Sequence, residues 1–140
     1  MDVCTSATAI PEVSVEEAVQ VASLRAELRR FLHLSEQTAR EAGLTPRQHL
    51  LLLMVKGAPD HSHRATVTDL CERMQLAQST VTELVDRAVE AGLVAREHSL
   101  LDARVSFVQL TPTGERRLAR VFTSLFEERA QLLRAIESVG

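Results

Sequence analysis

The chain has 140 residues, 45% of them hydrophobic, which is enough for one domain with a real core; aromatics are only 3%, with no Trp or Tyr, so aliphatic side chains must do the packing. A formal net charge of -3 excludes a general polyanion binder but allows local cationic patches, and all but one of the 16 basic residues (Lys56) are arginines, which suit bidentate and stacked contacts. The first residues lack a signal-peptide pattern, the apolar run Leu50 to Val55 is far too short for a bilayer, and Cys4 and Cys71 have no disulfide or metal-ligand spacing, so a cytoplasmic protein with no membrane partner is expected.

Residues 1–13 read as a loose tail. Ser14 and Glu17 then form a capping box, and Val15, Ala18, Val19, Ala22, Leu28, Phe31, Leu32 and Ala39 recur at helical spacing until Gly43 closes the helix. At about 28 residues, roughly 40 Å, it is long for one small domain. Part of its apolar face is therefore expected on another subunit, which makes 14–45 a dimerisation helix. In "LTPRQHLLLLMVKG" Thr45 caps, Pro46 takes the first helical position and Gly57 ends a helix expected to be buried nearly all round. "APDHSHR" reads as a loop. "TVTDLCERMQL" reads as a short helix with Thr68 as its cap and Leu70, Cys71 and Met74 inward. "AQSTVTELVDRAVEAG" is the next helix, ended by Gly92.

After Gly92 the pattern switches to period two. Val105, Phe107 and Val108 to Leu110 read as strand, with a loop at His98 to Ala103, giving a β-hairpin. From Pro112 a single last helix is expected to run to the end, with Leu118, Val121, Phe122, Leu125, Leu132, Leu133 and Ile136 on one stripe. The expected fold is mainly α with a small β-wing: a winged helix-turn-helix over 46–111 between long dimerisation helices, the second over 112–140. In such a motif the first short helix crosses the DNA backbone and the second enters the major groove. Val81, Leu84, Val85 and Ala88 form the core face of that second helix, and Ser79, Thr82, Glu83 and Asp86 the opposite face. Gln78, Ser79 and Thr80 occupy its first turn, where free amides and the helix dipole favour phosphate.

The segments "LTPRQHLLLLMV", "TVTDLCERMQLAQSTVTELVDRAVEAGLVARE", "DAR" and "LTPTGERRL" together resemble the MarR family of dimeric bacterial transcriptional regulators, over about residues 14–139. The resemblance implies a homodimer on a palindromic site in double-stranded DNA, acting as a repressor and released by a small, often aromatic or anionic, effector. It implies DNA contacts from Gln78, Ser79, Thr80, Thr82, Glu83 and Arg87 on the reading helix and from Asp102 and Arg104 in the wing, with Arg104 entering the minor groove. Asp102 by itself reads best as a structural hydrogen-bonding residue of the wing. His33, Arg47 and His49 lie on helices that flank the family's ligand cavity.

The sequence departs from the family on the DNA side. Glu83 stands where the family often has a base, Leu100 and Leu101 lie near the wing tip, and five arginines face seven acids between Arg64 and Arg104. A carboxylate against a phosphate would be repelled by about 4 kcal/mol at roughly 4 Å in an effective dielectric near 20. Glu83 must then accept from a base such as cytosine, pair with Arg87 four residues on, or lie outside the contact. Loss of DNA binding in favour of a protein partner, through Leu100 and Leu101 or an acidic face, is the alternative function. A metal or thiol sensor on the same fold is a weaker one: Asp60, His61 and His63 lack further ligands at helical steps, Cys71 reads as a small core residue, and Cys4 lies in the tail. No nucleophile–base pair or glycine-rich phosphate loop is present, so neither an enzyme nor a cofactor is expected.

Overall fold

The computed structural model describes residues 10–102 and 104–139; Cys4, most of the expected tail and Ala103 of the wing lie outside the described residues. The elements are α1 (Val15–Glu41), α2 (Pro46–Lys56), β1 (Arg64–Ala65), α3 (Val67–Met74), α4 (Gln78–Glu90), β2 (Val94–His98), β3 (Ser106–Leu110), α5 (Pro112–Ser124) and α6 (Phe126–Val139). Among them no helix is long and apolar enough to cross a membrane. The chain divides into two compact units: residues up to Leu32 with those from Glu128 onward, and His33–Glu127.

The second unit holds the core. Leu51, Leu52 and Val55 of α2, Leu70 of α3, Val81 and Val85 of α4, and Leu93, Val94, Val108 and Val121 are fully buried. Helices α1, α2, α3 and α5 start where a Ser or Thr side chain supplies a cap. Thr45 accepts from the Gln48 N–H while the Gln48 side chain accepts from Thr45, with Pro46 in the first turn. α3 is capped by Thr66 and not by Thr68, because only Thr66 has an acid three residues on: Thr66 accepts from the Asp69 N–H at 3.1 Å and Asp69 accepts in return. Helix α2 is not buried all round, since Leu53 is 38% exposed.

The sheet has three strands in the order β1-β3-β2, all antiparallel. Strand β1 replaces the expected loop at Arg64–Ala65; two residues are too few to show a period, and Arg64 lies 4.0 Å over the Phe107 ring. The β2–β3 ladder runs from Val94↔Leu110 to His98↔Ser106, so His98 is paired and not in the loop, and β3 begins one residue after Val105. The C-terminal segment is two helices separated at Leu125, whose side chain is buried. Neither Gly nor Pro marks that break in the sequence.

One junction fixes α4, the wing and α5 together. Gly92, at φ +73°, ends α4 with two backbone bonds, from its own N–H to Val89 and from the Leu93 N–H to Ala88. The Thr111 hydroxyl donates to the Gly92 carbonyl at 2.5 Å, its N–H donates to the Leu93 carbonyl at 3.0 Å, and its oxygen accepts from the Gly114 N–H. Gly114 is buried with its α-carbon against the Leu93 carbonyl oxygen, where any Cβ would overlap. Gly114→Ala should therefore lose about 2 kcal/mol of stability or more in a urea titration; an unchanged midpoint would show that the junction can move apart without cost.

Candidate nucleic-acid interface

Helix α3 ends with Gln75 in the left-handed region at φ 57°, where the Leu76 N–H returns to the Cys71 carbonyl, and α4 begins three residues later. Its N-cap, Ala77, offers no side-chain oxygen. The amides of the first turn, at Gln78, Ser79 and Thr80, thus lack the usual capping partner and remain available to an anion. Val81, Val85 and Ala88 bury one face of α4 and Leu84 half-buries beside them. The opposite face presents Gln78, Ser79, Glu83, Asp86 and Arg87 to solvent, with Thr82 half-buried among them.

Two of the three acids of this helix carry a cation. Glu83 accepts from the Arg87 guanidinium at 2.6 Å, with the two side chains 62% and 69% exposed. Such an exposed i,i+4 pair contributes only about 0.3–0.5 kcal/mol, so it screens the carboxylate without locking Arg87 in place. Asp86 pairs with Arg96 of β2 at 2.6 Å and ties the reading helix to the root of the wing. Glu90 stands exposed in the last turn.

The wing is built from its own polar groups. Asp102 Oδ1 accepts from the Arg104 N–H at 3.0 Å and from Nε at 3.2 Å, and Oδ2 accepts from Nη2 at 3.4 Å. The side-chain and backbone hydrogen bonds from Arg104 hold the Asp102 carboxyl below the usual carboxylate range. Asp102 thus does the holding and the Arg104 side chain, 92% exposed, is presented to solvent.

Of the three candidate effector residues, one lines a described cleft. Arg47 lines an open cleft of about 490 Å³ with Thr45, Pro46, Thr80, Glu83, Leu84 and Arg87. His33 is exposed and His49 half-buried, and neither is among that lining. In "DHSH", Asp60 Oδ1 accepts from the Ser62 N–H at 3.0 Å, and His61 and His63 adopt positive φ, so the motif is a turn. No group of three His, Cys, Asp or Glu side chains among the described residues is arranged to hold a metal. Cys71 is half-buried, short of the full core position expected. Arg96 was the residue that sequence reasoning missed. Its place in "GLVAR", ten residues after Asp86 and just beyond the glycine turn, was the available signal.

The sequence model of the MarR family matches residues 42–105, which hold the capped α2, both short helices and the wing as far as the start of β3. The chain is 34% identical over 107 residues to the uncharacterized HTH-type transcriptional regulator YsmB of Bacillus subtilis, covering 74% of this chain and 70% of that protein. It is 28% identical over 100 residues to the HTH-type transcriptional repressor YetL of the same organism, covering 71% of this chain and 59% of YetL, so it spans under two thirds of that relative's length. A crystal structure of a MarR mutant from E. coli complexed with operator DNA superposes with a TM-score of 0.64 at 18% identity, over 87% of this chain and 85% of that one, a likeness of fold.

His49 carries a pH test. Burial holds its imidazole below the ordinary 6.5. The unfolded chain then takes up a proton where the native chain does not, and stability falls as pH drops below about 6.5. Melting temperatures followed from about pH 7.5 to 5.5 should decline less steeply for His49→Gln than for the parent. Parallel curves would show that another group carries the dependence.

Proposed function

The chain belongs to the MarR family, and we propose that it is a dimeric, sequence-specific DNA-binding transcriptional repressor that grips a palindromic promoter site and is released by a small-molecule effector. The observation that carries the DNA reading is the state of α4: an uncapped N-terminus, an outward row of exposed Gln78 and Ser79 with half-buried Thr82, and Glu83 and Asp86 already matched by Arg87 and Arg96. The acids therefore do not bar the helix from a groove. Gln78, Ser79 and Thr80 would hold phosphate through first-turn amides, Thr82 would face base edges, and Glu83 would pass Arg87 to a phosphate at small cost or itself accept from a base. Arg104 would enter the minor groove, where narrow A·T tracts attract cations, on a wing held by Asp102. The E. coli MarR mutant, which shares this fold, is complexed with operator DNA, and that supports DNA as the partner here.

Dimerisation is supported by the first unit, in which no described residue is buried. Val15, Val19, Leu28 and Leu32 of α1 and Leu133 and Ile136 of α6 are 43–73% exposed. The bond from Arg30 to Gln131 at 3.0 Å links the two segments, and Leu24, Phe31 and Leu132 are only half-buried. Helices without a packed apolar face are marginal in water, so a second copy is the natural cover. The cleft beside α4, with Arg47 near the Glu83–Arg87 pair, supports an anionic effector that would compete for the reading helix.

Fluorescence anisotropy against duplexes selected from a randomised pool, repeated at several salt concentrations, tests the DNA reading. The parent should bind a selected palindrome and lose affinity linearly in log salt; no binding at low salt would discard the function. Arg87→Gln removes one such contact and should make the slope shallower by about one phosphate per subunit, each contributing roughly −0.9. An unchanged slope would take Arg87 off the phosphate. In sedimentation the parent should run as two chains, whereas Leu28→Glu with Leu133→Glu should run as one and bind the palindrome at least about a hundredfold more weakly. A dimer that survives both charges would move the interface elsewhere.

A further inference from the structure

The tip of the wing displays two adjacent leucines fully to solvent, Leu100 at 103% and Leu101 at 99% exposure. The backbone behind them is tied down. The Ser99 N–H donates to the Val105 carbonyl at 2.9 Å and the Val105 N–H donates to Asp102 at 3.0 Å. The Ser99 hydroxyl accepts from the N–H groups of Leu101 and Asp102 at 3.2 and 3.3 Å. The turn's hydrogen bonds come from Ser99 and Asp102, so it would form as well with polar residues at 100 and 101. Single exposed leucines are ordinary, but two side by side at a braced tip invite a cover.

Resting on the DNA reading above, we infer that Leu100 and Leu101 are an apolar wedge that enters the minor groove beside the reading helix and partly unstacks one base step there. Three observations point to DNA as the occupant. The wing leaves the reading helix through the hydrogen-bonded Gly92–Leu93 corner and meets it again at the Arg96–Asp86 pair, so the tip sits at a set distance from α4. Strands of five residues reach about 17 Å, which matches half of a roughly 34 Å helical turn, the step from a major groove to the next minor groove on the same face. Arg104, exposed and braced three residues beyond Leu101, supplies the cation that a minor groove attracts. Leucine side chains inserted between base pairs in this groove kink the duplex, most easily at pyrimidine–purine steps. The wedge thus adds a sequence preference, for a TA or CA step in each flank, that no base-edge hydrogen bond supplies. It also adds affinity that does not come from phosphates, which suits a lobe with few free cations.

The test uses the full chain and a selected palindromic duplex carrying 2-aminopurine in place of adenine at single flanking steps. The parent should brighten the probe at one position in each flank by about twofold or more, as expected for unstacking. Leu100→Ser with Leu101→Ser should abolish the brightening and weaken binding by about ten- to a hundredfold, with the log–log salt slope unchanged because no phosphate contact is lost. Leu100→Met with Leu101→Met should restore both signals. Equal melting temperatures would show that the serine variant folds. A parent that binds the duplex but brightens no position, or a serine variant that keeps the parent's affinity, overturns the wedge and leaves the DNA reading standing. A parent that binds no duplex overturns both. A serine variant whose salt slope changes assigns the tip to the phosphate backbone and also overturns the wedge.

Discussion

The carbonyl of Leu93 is the point on which the site depends. It accepts from Thr111 at the start of α5 and leaves room for Gly114 only because glycine has no Cβ, while the N–H of the same residue closes the end of the reading helix on the Ala88 carbonyl. Three elements that must keep a fixed relation, α4, the wing strands and α5, meet within a few bonds of one oxygen. The capping chemistry serves the same end. Gly92 turns the chain out of α4 in a left-handed conformation, and Thr111 both binds that turn and caps the next helix. A reading helix and a wing hung from one rigid corner can be presented to two grooves at once without an ordering cost at the moment of binding.

Electrostatics decide what such a corner can do. A lobe with seven acids against five arginines gains little from diffuse attraction, so each cation must be placed. The placement is visible in the pairs. Asp86 spends Arg96 on architecture, Asp102 braces Arg104 while leaving it exposed, and Glu83 holds Arg87 in a pair weak enough to exchange. The acids of α4 are therefore better understood as partners that orient guanidinium groups before contact than as repulsion left uncorrected. The same logic explains the near absence of lysine: a planar, forked cation can be aimed by a carboxylate, and a flexible ammonium cannot.

Much of this was legible in the chain. Thr45 with Gln48, Gly43, Gly92 and the alternation before Leu110 each announce an element by a local rule, and the apolar face Val81, Val85, Ala88 follows from a period of 3.6. The failures share a cause: non-local packing decides them. Strand β1 is two residues that pair only because β3 passes beside them. The separation of α5 from α6 at Leu125 has no glycine or proline to signal it. The exchange of Thr68 for Thr66 is different, since the acid at 69 was in plain sight and the capping-box spacing would have chosen correctly. At the site, the i,i+4 geometry of Glu83 and Arg87 was readable, whereas Asp86–Arg96 needs the strand to fold back.

The exposed first unit and the acidic second one are connected by energetics. A lobe that neutralises few phosphates binds one half-site weakly, with a shallow dependence on salt. Joining two such lobes rigidly makes the second contact intramolecular, and the gain in avidity needs no additional charge. The apolar residues of α1 and α6, none of them fully buried within their own unit, are the surface by which that joining would occur. On this reading, low charge and dimerisation are one device. Monomers would be too weakly attracted to occupy DNA at random, and only a pair, held at a spacing of about one helical turn, would gain enough from two grooves to stay. A modest change in that spacing would then cost both half-sites together, so an effector coupling of only about 1–3 kcal/mol would suffice to empty the operator.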